Sequence, residues 1–251
     1  MSRGGSKVRS ATSIEEFAIV IPARDEQLLI GACLRAIDIA IARTHRALWW
    51  RIPTISVTVV ADGCTDGTAD VVRTFPAVTL VERAAAGVGA ARRTGAAVAL
   101  SQSCCAPGSF WLANTDADSR VPPGWILEQL AAASAGSDAL IGTVRPVFDD
   151  LSPEQVRAWE ALHRGERANG HVHGANLGVR ASAYLAAGGF DPVQEHEDVD
   201  LVARVRAGGF TATASAAAEV LTSGRQSGRA PGGYAGYLRT LATASIVPDP
   251  V

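Results

Sequence analysis

Along the chain the spacing of apolar residues switches repeatedly between strand-like and helix-like periods. Residues 17–21 are an unbroken apolar run closed by Pro22, the signature of a short buried strand. Between residues 26 and about 46, Leu28, Leu29, Ala32, Cys33, Ala36, Ile37, Ala40 and Ile41 recur at helical spacing. A β-branched run at 55–60 predicts a second strand ending in Ala61, Asp62 and Gly63, and 68–73 predicts a helix. A third strand follows at 78–81, an alanine-rich helix at 89–100, a fourth strand at 110–113 and a helix at 125–133. This alternation predicts an α/β fold with a parallel sheet and helices on both faces. Such sheets bind ligands in a crevice at the carboxyl ends of their strands.

Beyond residue 140 the rhythm loosens. Residues 141–144 predict an edge strand, and 152–167 a helix with Ser152 at its cap and Pro153 in its first turn. Another helix opens on the acidic stretch 195–201 and stops at Gly208 and Gly209, a strand follows at 211–221, and a short helix at about 234–244. The segment 222–233 has glycines, serines, Arg225 and Arg229 but no hydrophobic period, so it predicts a loop. The expected organisation is a flexible start over 1–15, one domain over 16–245 and a tail at 246–251.

Composition narrows the chemistry. With 47% hydrophobic and 19% charged residues the chain is an ordinary globular protein, and a net charge of −2 gives no broad basic surface for nucleic acid. Lys7 is the sole lysine and has no Gly-Lys-Ser/Thr context, which excludes Schiff-base and P-loop chemistry. Cys33, Cys64, Cys104 and Cys105 have neither metal-ligand nor disulfide spacing, so four free thiols and a cytoplasmic location are expected. The first thirteen residues lack the apolar core of a signal peptide, and no run approaches the roughly 18 apolar residues of a membrane span. Contact with a membrane surface stays open.

The polar residues gather where the predicted crevice lies. The first strand ends in Pro22, Ala23, Arg24, Asp25 and Glu26, the second in Asp62, and the fourth in Asp116 and Asp118. Asp25, Thr65 or Asp66 could each simply cap a helix, and Asp62-Gly63 is a turn dipeptide. Capping explains one acid per helix, not a surplus along one sheet edge. Asp116 and Asp118 would point to opposite sides of an extended strand, but a turn beyond its end can bring them to one hard divalent cation. Gly87 and Gly89 begin a near-dinucleotide motif, but Arg92 takes the third glycine's place and the motif follows the wrong strand. Either these glycines admit a ligand, with Arg92 or Arg93 on a phosphate, or the helix carries two solvated arginines. Glu195, His196, Glu197, Asp198 and Asp200 exceed what a helix N-terminus requires, and a crowded carboxylate there can act as a base.

In this order the motifs resemble family 2 glycosyltransferases of the GT-A fold. They are residues 19–26, 62–68, 89–95 and Asp116 to Asp118, then 174–180, Gly188 to Asp191, and Glu197 to Arg204. The resemblance spans about residues 16–210. It implies a Rossmann-like, mostly parallel sheet flanked by helices, with a nucleotide-binding half at about 16–120 and a smaller acceptor half at about 121–245. It implies transfer of a sugar from a nucleotide diphosphate sugar to an acceptor hydroxyl. Pro22, Ala23, Arg24, Asp25 and Glu26 would line the nucleoside pocket, Asp62 would bind the base and Arg92 would lie near the nucleotide. Asp116 would contact ribose or metal water, Asp118 would ligate Mn²⁺ or Mg²⁺, and Asp198, with Glu197 beside it, would be the base of an inverting displacement. Apart from the resemblance, the loop 222–233 is either an ordinary solvated connector or a mobile lid, disordered or displaced without donor, whose Arg225 or Arg229 reaches the diphosphate once donor and metal are bound.

The chain departs from the family pattern in three places. A single acid ends the second strand, Arg93 replaces a frequent asparagine, and no histidine follows His196. His171 and His173 precede the acidic motif instead, where loop hydrogen bonding explains them more readily than a metal. The family also contains retaining members. A nucleotidyltransferase would want a glycine-rich loop after the first strand, a metal hydrolase would leave the crevice acids unexplained, and a non-catalytic nucleotide-sugar binder would not need Asp198.

Overall fold

The computed structural model describes residues 13–163, 168, 170–228 and 232–244. The expected flexible start before residue 13, the end of the 152–167 helix, Arg229 and the tail lie outside the described residues. Eight strands form one sheet in the order β3-β2-β1-β4-β7-β6-β8-β5. Strands β1 (Glu16–Ala23), β2 (Thr54–Asp62), β3 (Val78–Arg83) and β4 (Phe110–Asn114) are all parallel, β1 lying between β2 and β4. Side chains alternate across this half. Phe17, Ile19 and Ile21 of β1 pack with α1 (Ile30–Ala47), α2 (Thr68–Arg73) and α4 (Trp125–Ser134) on one face. Ala18 and β4 residues Phe110 and Leu112 meet α3 (Val88–Gln102), α6 (Ala181–Ala186) and α7 (Glu197–Ala207) on the other. Pro22 is tolerated because β1 has already lost β4 as a neighbour beyond Val20, so that side of the strand makes no ladder bonds there.

The second half is mixed. β7 (Leu177–Arg180) is antiparallel to both β4 and β6 (Ala139–Pro146), while β8 (Ala212–Thr222) runs parallel to β6. The strand expected at the edge is therefore interior: β6 is flanked on both sides and almost wholly buried, with β5 (Ser119–Arg120) taking the edge beyond β8. The first helix begins at Ile30 rather than residue 26, because Asp25 adopts φ 50° and residues 26–29 form a turn. α5 (Pro153–Leu162) starts with the anticipated Ser152 cap, completed by a reciprocal bond from the Ser152 amide to Gln155. It pairs with α8 (Tyr234–Ala244) through Trp159, Leu238 and Leu241.

Two motif residues of this half are structural. Asn176 donates to the carbonyls of Thr143 and Ala218 at 2.8 and 2.9 Å and accepts from the Trp125 indole at 2.8 Å. That ties β6, β8 and α4 across the point where the β6–β8 register shifts. Gly142 makes room for it, since a Cβ there would overlap the Asn176 amide. Arg180 is buried and donates to the carbonyls of Gly108, Ala133 and Ser137, with Asp138 3.4 Å from its Nε.

Candidate active site

The carboxyl ends of β1, β2 and β4 and the amino end of α7 border one cavity of about 770 Å³. Pro22, Ala23, Arg24, Glu26, Asp62, Arg92, Asp116, Asp118, Glu197, Asp198 and Arg225, widely separated in sequence, all line it. Asp25 does not. Its carboxylate accepts from the Thr65 amide at 2.7 Å and hydroxyl at 3.2 Å, so it ties the end of β1 to the loop after β2. This bond also holds Asp25 in a left-handed conformation that a non-glycine residue seldom takes.

Asp62 is buried and already engaged. Its carboxylate accepts from the amides of Ala86 and Gly87, at 3.0 and 2.8 Å, and lies 3.4 Å from the Arg83 Nε. It therefore builds the loop entering α3, and any contact with a base would add to those bonds. Gly87 takes φ 99° at this turn. Gly89 admits the backbone of 191–193, because a Cβ there would strike the Asp191 carbonyl. The two glycines thus bring chain against chain at the start of α3.

Arg92 is not a solvated arginine. It is 3% exposed, pairs with the equally buried Glu197 and reaches Asp116 at 2.5 Å. A Cβ on Gly174 would fall inside its guanidinium, so that glycine is required by the close approach. Burial pushes the Glu197 carboxyl up, Arg92 pulls it back, and Asp198 pushes it up again. Glu197 is held in the ion pair with Arg92. Its neighbour Asp198 is half-buried, lines the cavity, and accepts only the Val199 amide among the hydrogen bonds seen, at 2.8 Å.

A turn places the two aspartates after β4. The Ser119 amide donates to the Asp116 carbonyl at 3.1 Å, and Ser119 then pairs with Thr222 at the end of β8. The Thr222 hydroxyl lies 3.4 Å from Asp118, and the Ser223 amide donates to the Asp118 carbonyl. β5, only two residues long, thereby delivers the segment after β8 to the Asp118 carboxylate. Arg225 completes the contact, 2.9 Å from Asp118 and bidentate to Glu26 at 2.6 and 3.0 Å. Ser223, Arg225 and Gly228 thus border the crevice, with Asp118 and Glu26 as partners of the Arg225 guanidinium. Arg229 lies outside the described residues.

The site holds more negative than positive charge. Burial, then Asp116, pushes the Asp118 carboxyl up to about 6, with Arg225 acting against them. Two crowded carboxylates with only oxygen donors suit a hard divalent cation, which binds through one or two carboxylates and keeps water or phosphate oxygens. Arg24 also lines the cavity, and its Nε is buried without a partner. His171 and His173 lie in the loop before β7. Both line the cavity; His173 packs edge-on against Tyr234, and burial lowers its pKa, with Asp198 acting against it. Tyr234 was read only as the start of a helix, and no local pattern marks it as a wall of the site.

Comparison with known proteins places the family and the fold. The profile described as Glycosyl transferase family 2 matches residues 18–184. The chain belongs to that family. Solved structures with the same fold are GT-A glycosyltransferases. One is a mannosyltransferase from Pyrobaculum calidifontis in complex with GDP-mannose and Mn²⁺, 19% identical with a TM-score of 0.59, covering 85% of this chain and 58% of that one. Another is glucosyl-3-phosphoglycerate synthase from Mycobacterium tuberculosis with Mn²⁺, UDP-glucose and phosphoglyceric acid, 15% identical with a TM-score of 0.56, covering 94% and 81%. A third is GalNAc-T7 with UDP, GalNAc and Mn²⁺, 13% identical with a TM-score of 0.60, covering 84% and 44%. The chain therefore spans little more than half of the first and less than half of the third. No curated protein matches it by sequence.

Proposed function

We propose that this family 2 chain transfers a sugar from a nucleotide diphosphate sugar to an acceptor hydroxyl, with a divalent cation at Asp118 and Asp116 and with Asp198 as base. The reading rests above all on one juxtaposition: the Asp116–Asp118 pair at the end of β4 and Asp198 at the start of α7 line the same cavity. Mn²⁺ or Mg²⁺, when bound, would act as a Lewis acid on the leaving diphosphate, whose negative charge grows as the glycosidic bond breaks. The chain's own residues do the rest. Asp118 and Asp116 supply the oxygen ligands. Arg92 fixes Asp116 from behind and, through Glu197, anchors the first turn of α7. That anchoring sets Asp198 in the cavity, where its carboxylate takes the proton of the acceptor hydroxyl as the oxygen attacks the anomeric carbon. Attack from the face opposite the diphosphate inverts the anomeric centre.

Arg225 is the internal cation of the site. It neutralises Asp118 and Glu26, and with a cation held by Asp118 its guanidinium would be available to pair with the diphosphate as well. Asp118→Ala is expected to abolish metal-dependent nucleotide binding and transfer with the fold intact. Calorimetric titration of nucleoside diphosphates with and without Mn²⁺ tests this. The wild type should gain at least about tenfold in affinity from the metal, since a cation held by Asp118 would supply positive charge for the diphosphate. The same gain in the Asp118→Ala protein would remove Asp118 from the metal site.

A further inference from the structure

A second surface lies at the opposite end of the sheet. α1 runs back from the crevice toward the amino ends of the strands and finishes at Ala47, just before Trp49 and Trp50. Both tryptophans are exposed, 76% and 67%, and meet edge to face with ring centroids 5.5 Å apart. Ile52 and, further up the helix, Ile39 are exposed as well. Two large aromatic side chains held in water serve no packing role, and indole rings favour an interface that is apolar on one side and wet on the other.

The charge around them has one dominant sign. Arg43 and Arg46 near the end of α1 and Arg51 just after the pair are exposed, while Asp38 lies earlier on the helix and Glu15 and Glu16 next to Thr54. The Arg51 guanidinium donates to the Ser13 hydroxyl at 2.6 Å, so the chain enters the described structure at this patch. The twelve residues before Ser13 contain Arg3, Lys7 and Arg9 and no acid. An overall charge of −2 makes this local positive excess the more pointed. Exposed indoles surrounded by arginine, with a basic segment leaving from the same spot, match an anionic lipid surface on both counts, since such binding adds buried apolar area to electrostatic attraction.

We propose that the Trp49–Trp50 corner, with Arg43, Arg46 and Arg51, docks this protein peripherally on an anionic membrane. Among the described residues no helix is long and apolar enough to cross one, so the contact is interfacial. It places the crevice away from the bilayer, because Thr54 begins β2 at the patch while Asp62 ends it in the crevice. Docking is thus separable from nucleotide binding and does not rest on the transferase reading.

The experiment is co-sedimentation of the full chain with vesicles of phosphatidylcholine carrying a third phosphatidylglycerol, and with pure phosphatidylcholine, at low and high salt. The wild type should pellet with the anionic vesicles, far less with the neutral ones, and progressively less as salt rises. Trp49→Ala/Trp50→Ala should lower partitioning at least about tenfold, and Arg43→Gln/Arg46→Gln roughly fivefold per charge. All four positions are exposed, so melting temperature and nucleotide binding should not change. The other three tryptophans are buried, so a blue shift of emission on binding reports Trp49 and Trp50. No pelleting, undiminished pelleting of the tryptophan variant, or equal binding to both vesicles would overturn the proposal. So would a wild-type dimer that Trp49→Ala/Trp50→Ala splits, because the corner would then join two copies of this chain.

Discussion

Asp198→Asn is expected to lower turnover by about 10²- to 10⁴-fold while donor affinity changes little. Asparagine keeps the shape of the side chain and can still accept the Val199 amide, but it cannot take a proton. Among the acids at the start of α7 this role falls to Asp198. Glu197 is spent on Arg92, and Asp200 does not line the cavity. The measurement is single-turnover transfer with saturating donor, alongside donor affinity by calorimetry. Collapsed affinity with normal turnover of the bound donor would make Asp198 a binding residue and leave the displacement needing another base.

The second large effect is on stability. Arg92→Met should destabilise the fold by about 3–5 kcal/mol, the usual cost of removing one partner of a buried ion pair. Glu197 would be left as an uncompensated buried carboxylate, and Asp116 would lose the group that restrains it. Urea unfolding reads the loss as a lower midpoint at unchanged slope. Adding Glu197→Gln should restore part of it, because the stranded charge is gone, and the double-mutant cycle then gives the coupling. An unaltered midpoint in Arg92→Met would mean that the pair does not anchor α7.

The first half of the fold was legible because its elements are local and strongly periodic. The helix at 68–73 and the strands through 17–21, 55–60 and 110–113 fall where the pattern put them, with ends displaced by a few residues. β5 and β7, two and four residues long, are held by partners far along the chain, and so short a run has no period of its own. The interior place of β6 is likewise a matter of pairing with β7 and β8, which no window around residues 141–144 contains.

The site was legible as a set of residues, not as a set of bonds. Asp116, Asp118 and Asp198 were found from strand ends and an acidic surplus, and all three line the cavity. What local sequence hides is who neutralises whom. Arg92 meets Glu197 across 105 positions and Arg225 meets Glu26 across 199, and those contacts make both arginines parts of the site's charge balance. Asp25 and Asp62 looked like ligand residues because they are acids at strand ends, yet each first satisfies backbone amides of a neighbouring loop. The family resemblance could order the motifs but could not reveal this.

Product analysis bears most directly on the central claim. The protein is incubated with a panel of nucleotide diphosphate sugars and Mn²⁺, with chelator controls and with Asp118→Ala in parallel. The proposed reaction predicts release of the nucleoside diphosphate from at least one donor, dependent on the metal and lost in Asp118→Ala, since the bond broken lies between the anomeric carbon and the diphosphate. Pyrophosphate formed from a sugar phosphate and a nucleoside triphosphate, with no nucleoside diphosphate from any donor, would contradict it.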